Sequence, residues 1–165
     1  VALAASFPLS WHLSLLAVPV SQAVGPLMGL PRQATVDLHK ALGWRTAFWG
    51  AIHAGGELVY LLSKEGVQVF VRISGDKGEN LLYLLGLLTA LLLLLHTVVA
   101  FFRKHPRITA HFRSAHRVTA LLVLLGATAH WWPFALFLLP SAAAYGAQGA
   151  LSLACRFGRK ASKRR

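Results

Sequence analysis

The chain has 165 residues, of which 56% are hydrophobic, with a mean hydropathy of +0.56 and a formal charge of +12. A soluble domain this small cannot bury that much apolar surface, which excludes an ordinary globular fold and points to one all-α membrane domain over 1–156, with a basic tail at 157–165. A strongly basic chain can bind nucleic acid, but here Lys and Arg sit at the ends of apolar segments, as in membrane loops, so no nucleic-acid partner is expected; the single cysteine, Cys155, allows no internal disulfide.

Five segments are candidates to span a bilayer. Segment A, about 7–29, contains Pro8, Pro19 and Pro26 and reads as kinked. No basic stretch precedes its apolar run, so 1–30 does not read as a cleavable signal. Segment B covers about 36–63. Gly66, Gly75, Gly78 and the mixed charges of 64–79 make the connection to segment C a polar loop. Segment C, about 81–103, opens with LLYLLGLLTALLLLLHTVVAFF, which is free of charge over 22 residues and long enough for a hydrocarbon core about 30 Å thick. Segment D covers about 112–131 and segment E about 133–156, joined at Trp131, Trp132 and Pro133, a tight turn with aromatics at interfacial depth.

Five spans divide the basic residues unevenly. Arg32, Lys40, Arg45, Arg103, Lys104, Arg107, Arg113, Arg117, Arg156, Arg159, Lys160, Lys163, Arg164 and Arg165 fall on one side, and Lys64, Arg72 and Lys77 on the other. The first side is therefore cytoplasmic by the positive-inside rule.

The chemistry-bearing pattern is two pairs of histidines. His39 and His53 in segment B are fourteen residues apart, and so are His116 and His130 in segment D. Fourteen helical residues rise about 21 Å and turn about 1400°, within about 40° of four whole turns, so each pair lies on one face at two depths. Segments B and D are separated by one span and run parallel, which pairs His39 with His116 on the cytoplasmic side and His53 with His130 on the other. One imidazole in a spanning helix is as readily explained by a hydrogen bond to a neighbouring helix. Two parallel helices with the same double spacing are not. Neutral imidazole is a standard axial haem ligand, and the pattern suits two stacked haems, each held by one histidine from each helix.

Other residues are ranked around these four. Arg45, Arg113 and Arg117 lie near the inner pair and read either as positive-inside flanks with snorkelling side chains or as partners of haem propionates. Glu57 is the only carboxylate deep in an apolar segment and lies one turn after His53, either hydrogen-bonded structurally or serving the acceptor side of the outer site. His96 in segment C has no partner at the ligand spacing and reads as a packing or hydrogen-bonding residue. His105 and His111 fall in the basic C–D loop, and His12 is placed near the outer end of segment A. Gly50, Gly55, Gly56 and Gly126 allow close approach of helices or macrocycles, and Phe48 and Trp49 lie between the two haem levels.

Segment B, LHKALGWRTAFWGAIH, resembles the third transmembrane helix of ferric reductases and NADPH oxidases, which runs from one ligand histidine, often followed by a basic residue, to the second. LSWHLSLLAVPVSQAVGPLMGLPRQATVDLHK resembles the preceding helix and its short loop, FFRKHPRITAHFRSAHRVTALLVLLGATAH the basic loop and fifth helix, and FALFLLPSAAAYGAQGALSLACRFGRK the sixth. The resemblance implies six helices, two b-type haems and a cytoplasmic module binding FAD and NADPH after the sixth helix. On that map segments A to E are helices two to six of an integral, multi-pass protein, with the plasma membrane the expected location, and the flavin/NAD(P)H dehydrogenase module lies outside this chain, which has no Gly-rich nucleotide fingerprint. The oxidase branch usually has a histidine four residues after the second ligand of this helix. Glu57 stands there, which favours a ferric or cupric chelate as acceptor over oxygen reduced to superoxide. Two other readings compete. A quinol-linked cytochrome b subunit uses the same histidine spacing but normally more helices. A non-redox scaffold or channel subunit would leave the four histidines unexplained, and segment D lacks the arginine repeat of a voltage sensor.

Overall fold

The computed structural model describes residues 2–16, 18, 25, 29–64, 66, 68 and 79–162. Its elements are helices, with no strand among the described residues: α1 (Ala2–Leu15), α2 (Arg32–Lys64), α3 (Glu79–Phe101), the single turn α4 (Pro106–Thr109), α5 (Phe112–His130), the single turn α6 (Phe134–Phe137) and α7 (Leu139–Ser162). The protein is thus an all-helical membrane domain. Helix α1 packs along α2, α3 packs along α5, the two pairs meet where α2 touches α3, and α1 also meets α6 and α7.

Segments B, C and D correspond to α2, α3 and α5, with ends moved by no more than four residues. Segment E does not form one helix from residue 133. It breaks at Leu138, and α7 continues to Ser162, into the stretch read as a tail. Pro140 explains the break: it has no N–H to donate, and its ring would clash with the carbonyl of Leu136 in a continuous helix. With the helix restarted at Leu139, Pro140 lies in the first turn, where a missing N–H is harmless. Segment A is described as far as α1 and a few later residues; Pro19 and Pro26 lie outside the described residues, as do Gly75, Gly78, Arg72 and Lys77 of the B–C loop. Gly66 takes φ of +64° just past the end of α2, a left-handed conformation that glycine reaches without the penalty a Cβ brings.

Many large apolar side chains lie on the surface, and the buried set mixes apolar with polar residues. Leu88, Leu91, Leu94 and Phe101 of α3 and Leu121 and Leu125 of α5 are exposed, while Ser10, Ser14, Thr35, Thr46, His96 and Thr119 are buried. Each of these buried hydroxyls bonds a carbonyl of its own helix, as Thr46 does to Leu42 O at 2.8 Å and Ser10 to Ser6 O at 2.9 Å, so none of them is left unpaired. The stretch Leu81–Phe101 is only 6% buried, whereas the core helix of a soluble protein is mostly covered. Among the described residues this is the one helix whose length and apolar composition alone suffice to cross a membrane. The other segments expected to span carry imidazoles, charges, hydroxyls and glycines where α3 carries leucine.

Candidate functional site

Helix α3 sets the direction of both histidine-bearing helices. Trp44 lies edge-on to Phe101 at 6.4 Å, and Gly50 lies against Leu93, so α2 runs antiparallel to α3. His96 meets Thr119, Thr89 meets Gly126 and Leu82 meets His130, so α5 is antiparallel to α3 as well. Helices α2 and α5 are therefore parallel, yet they touch each other only marginally.

Across that spacing the rings of His39 and His116 approach in a T-shaped arrangement, centroids 6.1 Å apart and planes at 76°. An ion bonded to two opposed imidazoles at about 2 Å each separates their ring centres by roughly 6 Å. No group of three or more His, Cys, Asp or Glu side chains is arranged to hold a metal ion among the described residues. The centroid separation of His39 and His116, by itself, leaves room for one metal ion between the two rings.

The hydrogen bonds fix which nitrogen is free. His39 Nδ1 lies 2.7 Å from the carbonyl oxygen of Leu16 on the α1 side, and His130 Nδ1 lies 2.8 Å from that of Leu82 on α3. A carbonyl only accepts, so Nδ1 carries the hydrogen in both rings and the lone pair is on Nε2. Metal-bound histidines are typically held in this way, the second nitrogen donating to a backbone carbonyl. His130 also lies flat against α3: a Cβ on Gly86 would stand 2.8 Å from its Cε1 and 3.0 Å from its Nδ1. Glycine is needed there because the ring occupies the space of a side chain.

His116 is held differently. Its Nδ1 is buried and without a hydrogen-bond partner. His96 stacks on its ring with centroids 4.3 Å apart and planes at 28°, and Phe112 lies 5.1 Å away at 33°. His96 Nδ1 reaches Thr119 Oγ1 at 2.8 Å. The Thr119 hydroxyl points its hydrogen at Ala115 O, 2.8 Å away, so its oxygen accepts from His96. The interhelical hydrogen bond expected for His96 is present.

His53 is half-buried on α2, and Glu57 is half-buried one turn further on. Arg45, Arg113 and Arg117 are exposed. His105 caps α4, its Nδ1 accepting from Arg107 N at 3.4 Å, and Lys40 pairs with Asp37 at 2.8 Å. His12 lies on α1 between Leu9, which sits against Gly50, and Leu16, whose carbonyl bonds His39. Sequence reasoning missed Gly86, Thr119 and the carbonyls of Leu16 and Leu82. A carbonyl has no sequence signature. Gly86 had a weak one, a lone glycine inside a leucine-rich helix where it lowers helix stability without local benefit.

Residues 2–127 match the family model described as the ferric reductase like transmembrane component, a stretch that includes His39, His53 and His116 and stops just short of His130. No curated protein and no solved structure matches the chain. More than half of the chain lies within that match, and it agrees with the exposed leucines and buried hydroxyls of the helical bundle. The chain belongs to the ferric reductase-like transmembrane family, membrane components of oxidoreductase type that serve electron transfer.

Proposed function

We propose that this chain conducts electrons across the membrane through two bis-histidine b-type haems, one between His39 and His116 and one between His53 and His130. The observation that carries the proposal is the pair of Nδ1–H bonds from His39 and His130 to backbone carbonyls, which leave Nε2 of each ring free to ligate. Haem, when bound, supplies a one-electron iron couple at each level. The protein's part is to set the distance and direction of the couples. Parallel helices with ligands fourteen residues apart hold the two levels about 21 Å apart along the helix. With two imidazoles holding each iron, the protein would leave no coordination position for an acceptor to occupy.

The donor is a flavin/NAD(P)H dehydrogenase module at the basic, cytoplasmic face, where Arg45, Arg113 and Arg117 pair with propionates of the inner haem. The acceptor is a ferric or cupric chelate on the other face, drawn by the Glu57 carboxylate, since oxygen donors suit such hard cations. The chain crosses the plasma membrane with segments A to E. Pyridine haemochrome analysis of the purified protein is expected to give about two haem b per chain. His39→Ala and His116→Ala should each remove one and the same haem, and His53→Ala and His130→Ala the other. One haem per chain, or losses that cross these pairs, would overturn the assignment. Glu57→Gln should raise the apparent KM for metal chelates with both haem spectra intact. A change in superoxide yield alone would make oxygen the acceptor.

A further inference from the structure

We infer that His96 is a positioning residue for the inner site: it clamps the ring of His116 by stacking, in place of the backbone hydrogen bond that orients His39 and His130. This rests on the reading of His39 and His116 as a ligand pair. Three observations support it. First, His39 and His130 each anchor Nδ1 on a backbone carbonyl, whereas His116 Nδ1 is buried without any partner. An unanchored imidazole can turn about χ2, a broad, soft torsion, so something else must fix the ring plane. Second, His96 and Phe112 both lie against the His116 ring, at 4.3 and 5.1 Å. The 28° angle between His96 and His116 is the near-parallel stacking that blocks rotation. Third, the clamp is itself rigid. His96 is only 8% exposed, and its Nδ1–H is held by Thr119, which sits three residues after His116 on the same helix and bonds back to Ala115. The ring that is clamped and the hydroxyl that anchors the clamp thus lie on one turn of α5, and His96 reaches both from α3.

The two ligands of the inner site would then differ electronically. Nδ1–H donation to a carbonyl makes an imidazole a stronger donor to iron. His39 has that support and His116 does not. The inner haem is therefore poised by one strengthened and one unstrengthened ligand, with a ring plane set by His96. Orienting partners of metal-bound histidines are typically worth 10- to 100-fold in metal affinity, and a stacking clamp is expected at the lower end.

Three variants separate the contributions in the full chain. His96→Phe keeps a flat ring for stacking and loses the bond to Thr119. His96→Leu keeps bulk and loses the ring. Thr119→Val keeps shape and loses the hydroxyl. Each is read by haem stoichiometry, by the low-spin EPR signals and by redox titration of both haems, with the outer haem as the internal control. In His96→Leu, the EPR signal and midpoint potential of the inner haem should shift and its retention should fall about 10-fold, with the outer haem unchanged. His96→Phe should restore most of the retention, and Thr119→Val should lie between. An inner haem in His96→Leu with unaltered EPR, potential and retention overturns the proposal. So does an equal disturbance of both haems, which marks a merely structural role, and so does loss of the inner haem in His96→Leu with its survival in His116→Ala, which would make His96 the ligand. Failure of the ligand pair itself reads differently: His39→Ala and His116→Ala would then leave two haems in place.

Discussion

At Gly86 a single hydrogen in place of a methyl decides whether an imidazole has a seat. The His130 ring lies where a Cβ would stand, 2.8 Å from its Cε1, and the Nδ1–H bond to Leu82 O keeps it from swinging away. Gly86→Ala must therefore either break that bond or push α5 off α3. Overpacking of this kind costs about 1–3 kcal/mol, partly offset by the better helix propensity of alanine. The expected outcome is selective loss or spectral disturbance of the outer haem, with the inner haem retained and haem content falling towards one per chain. Two haems with native spectra in the alanine variant would show that the ring has another place to go. The same close approach recurs at Gly50, where a Cβ would come within 2.6 Å of Leu93. There the neighbour is the tip of a flexible side chain, and Gly50→Ala is expected to be milder.

Helix α3 does two opposite things with its two faces. One face, through Gly86, Thr89 and His96, receives α5. The other is an unbroken leucine surface, with Leu91 53% and Leu94 60% exposed. In water Leu91→Arg would be an unremarkable surface change, within about 0.5 kcal/mol. In a bilayer an arginine at the middle of a helix costs about 2.5–3.5 kcal/mol in apparent insertion free energy. A glycosylation-based insertion assay on α3 should register that penalty, and detergent-purified Leu91→Arg should be recovered in lower yield. Equal insertion of both sequences would contradict the lipid-facing assignment. On α2 and α5 the hydroxyls of Thr46, Thr119 and Thr128 bond carbonyls of their own helices at 2.8–2.9 Å. These helices can therefore be less apolar than α3 without presenting unpaired polar groups to lipid.

For the molecule as a whole, the basic residues cluster near helix ends, apart from Arg45 of α2, which lies between His39 and His53 in the chain. Arg103, Lys104 and Arg107 form an exposed basic stretch around α4, which leads into α5 about one turn before His116. Clustered charge of one sign speeds the encounter with a partner of the opposite sign, and this effect fades as salt screens it. Reversing all three to Glu should slow reduction of the inner haem by an added flavin reductase domain, more at low ionic strength than at about 0.15 M, with haem content unchanged. Rates that do not respond at either salt concentration would move the docking site elsewhere, with the C-terminal end of α7 the next surface to probe.

The helical architecture and the boundaries of α2, α3 and α5 were legible in the chain itself, because both follow from local periodicity. Leucine runs set the lipid-facing helix, and a fourteen-residue interval brings two side chains onto one face whatever surrounds them. The helix break at Leu138 was legible in principle from Pro140 but was outweighed by the apolar continuity of segment E. What anchors each imidazole was not legible at all. The carbonyls of Leu16 and Leu82 belong to every residue type alike, and only packing brings them to His39 and His130. The sequence likewise marked His96 as a hydrogen-bonding residue without saying to what. Its placement on His116 is decided by the antiparallel register of α3 against α5, and that register depends on which small residues, Gly86 and Gly126, let the two backbones come close. Interactions between residues far apart in the chain are set by how helix surfaces interlock, and a single helix does not carry that information in its own period.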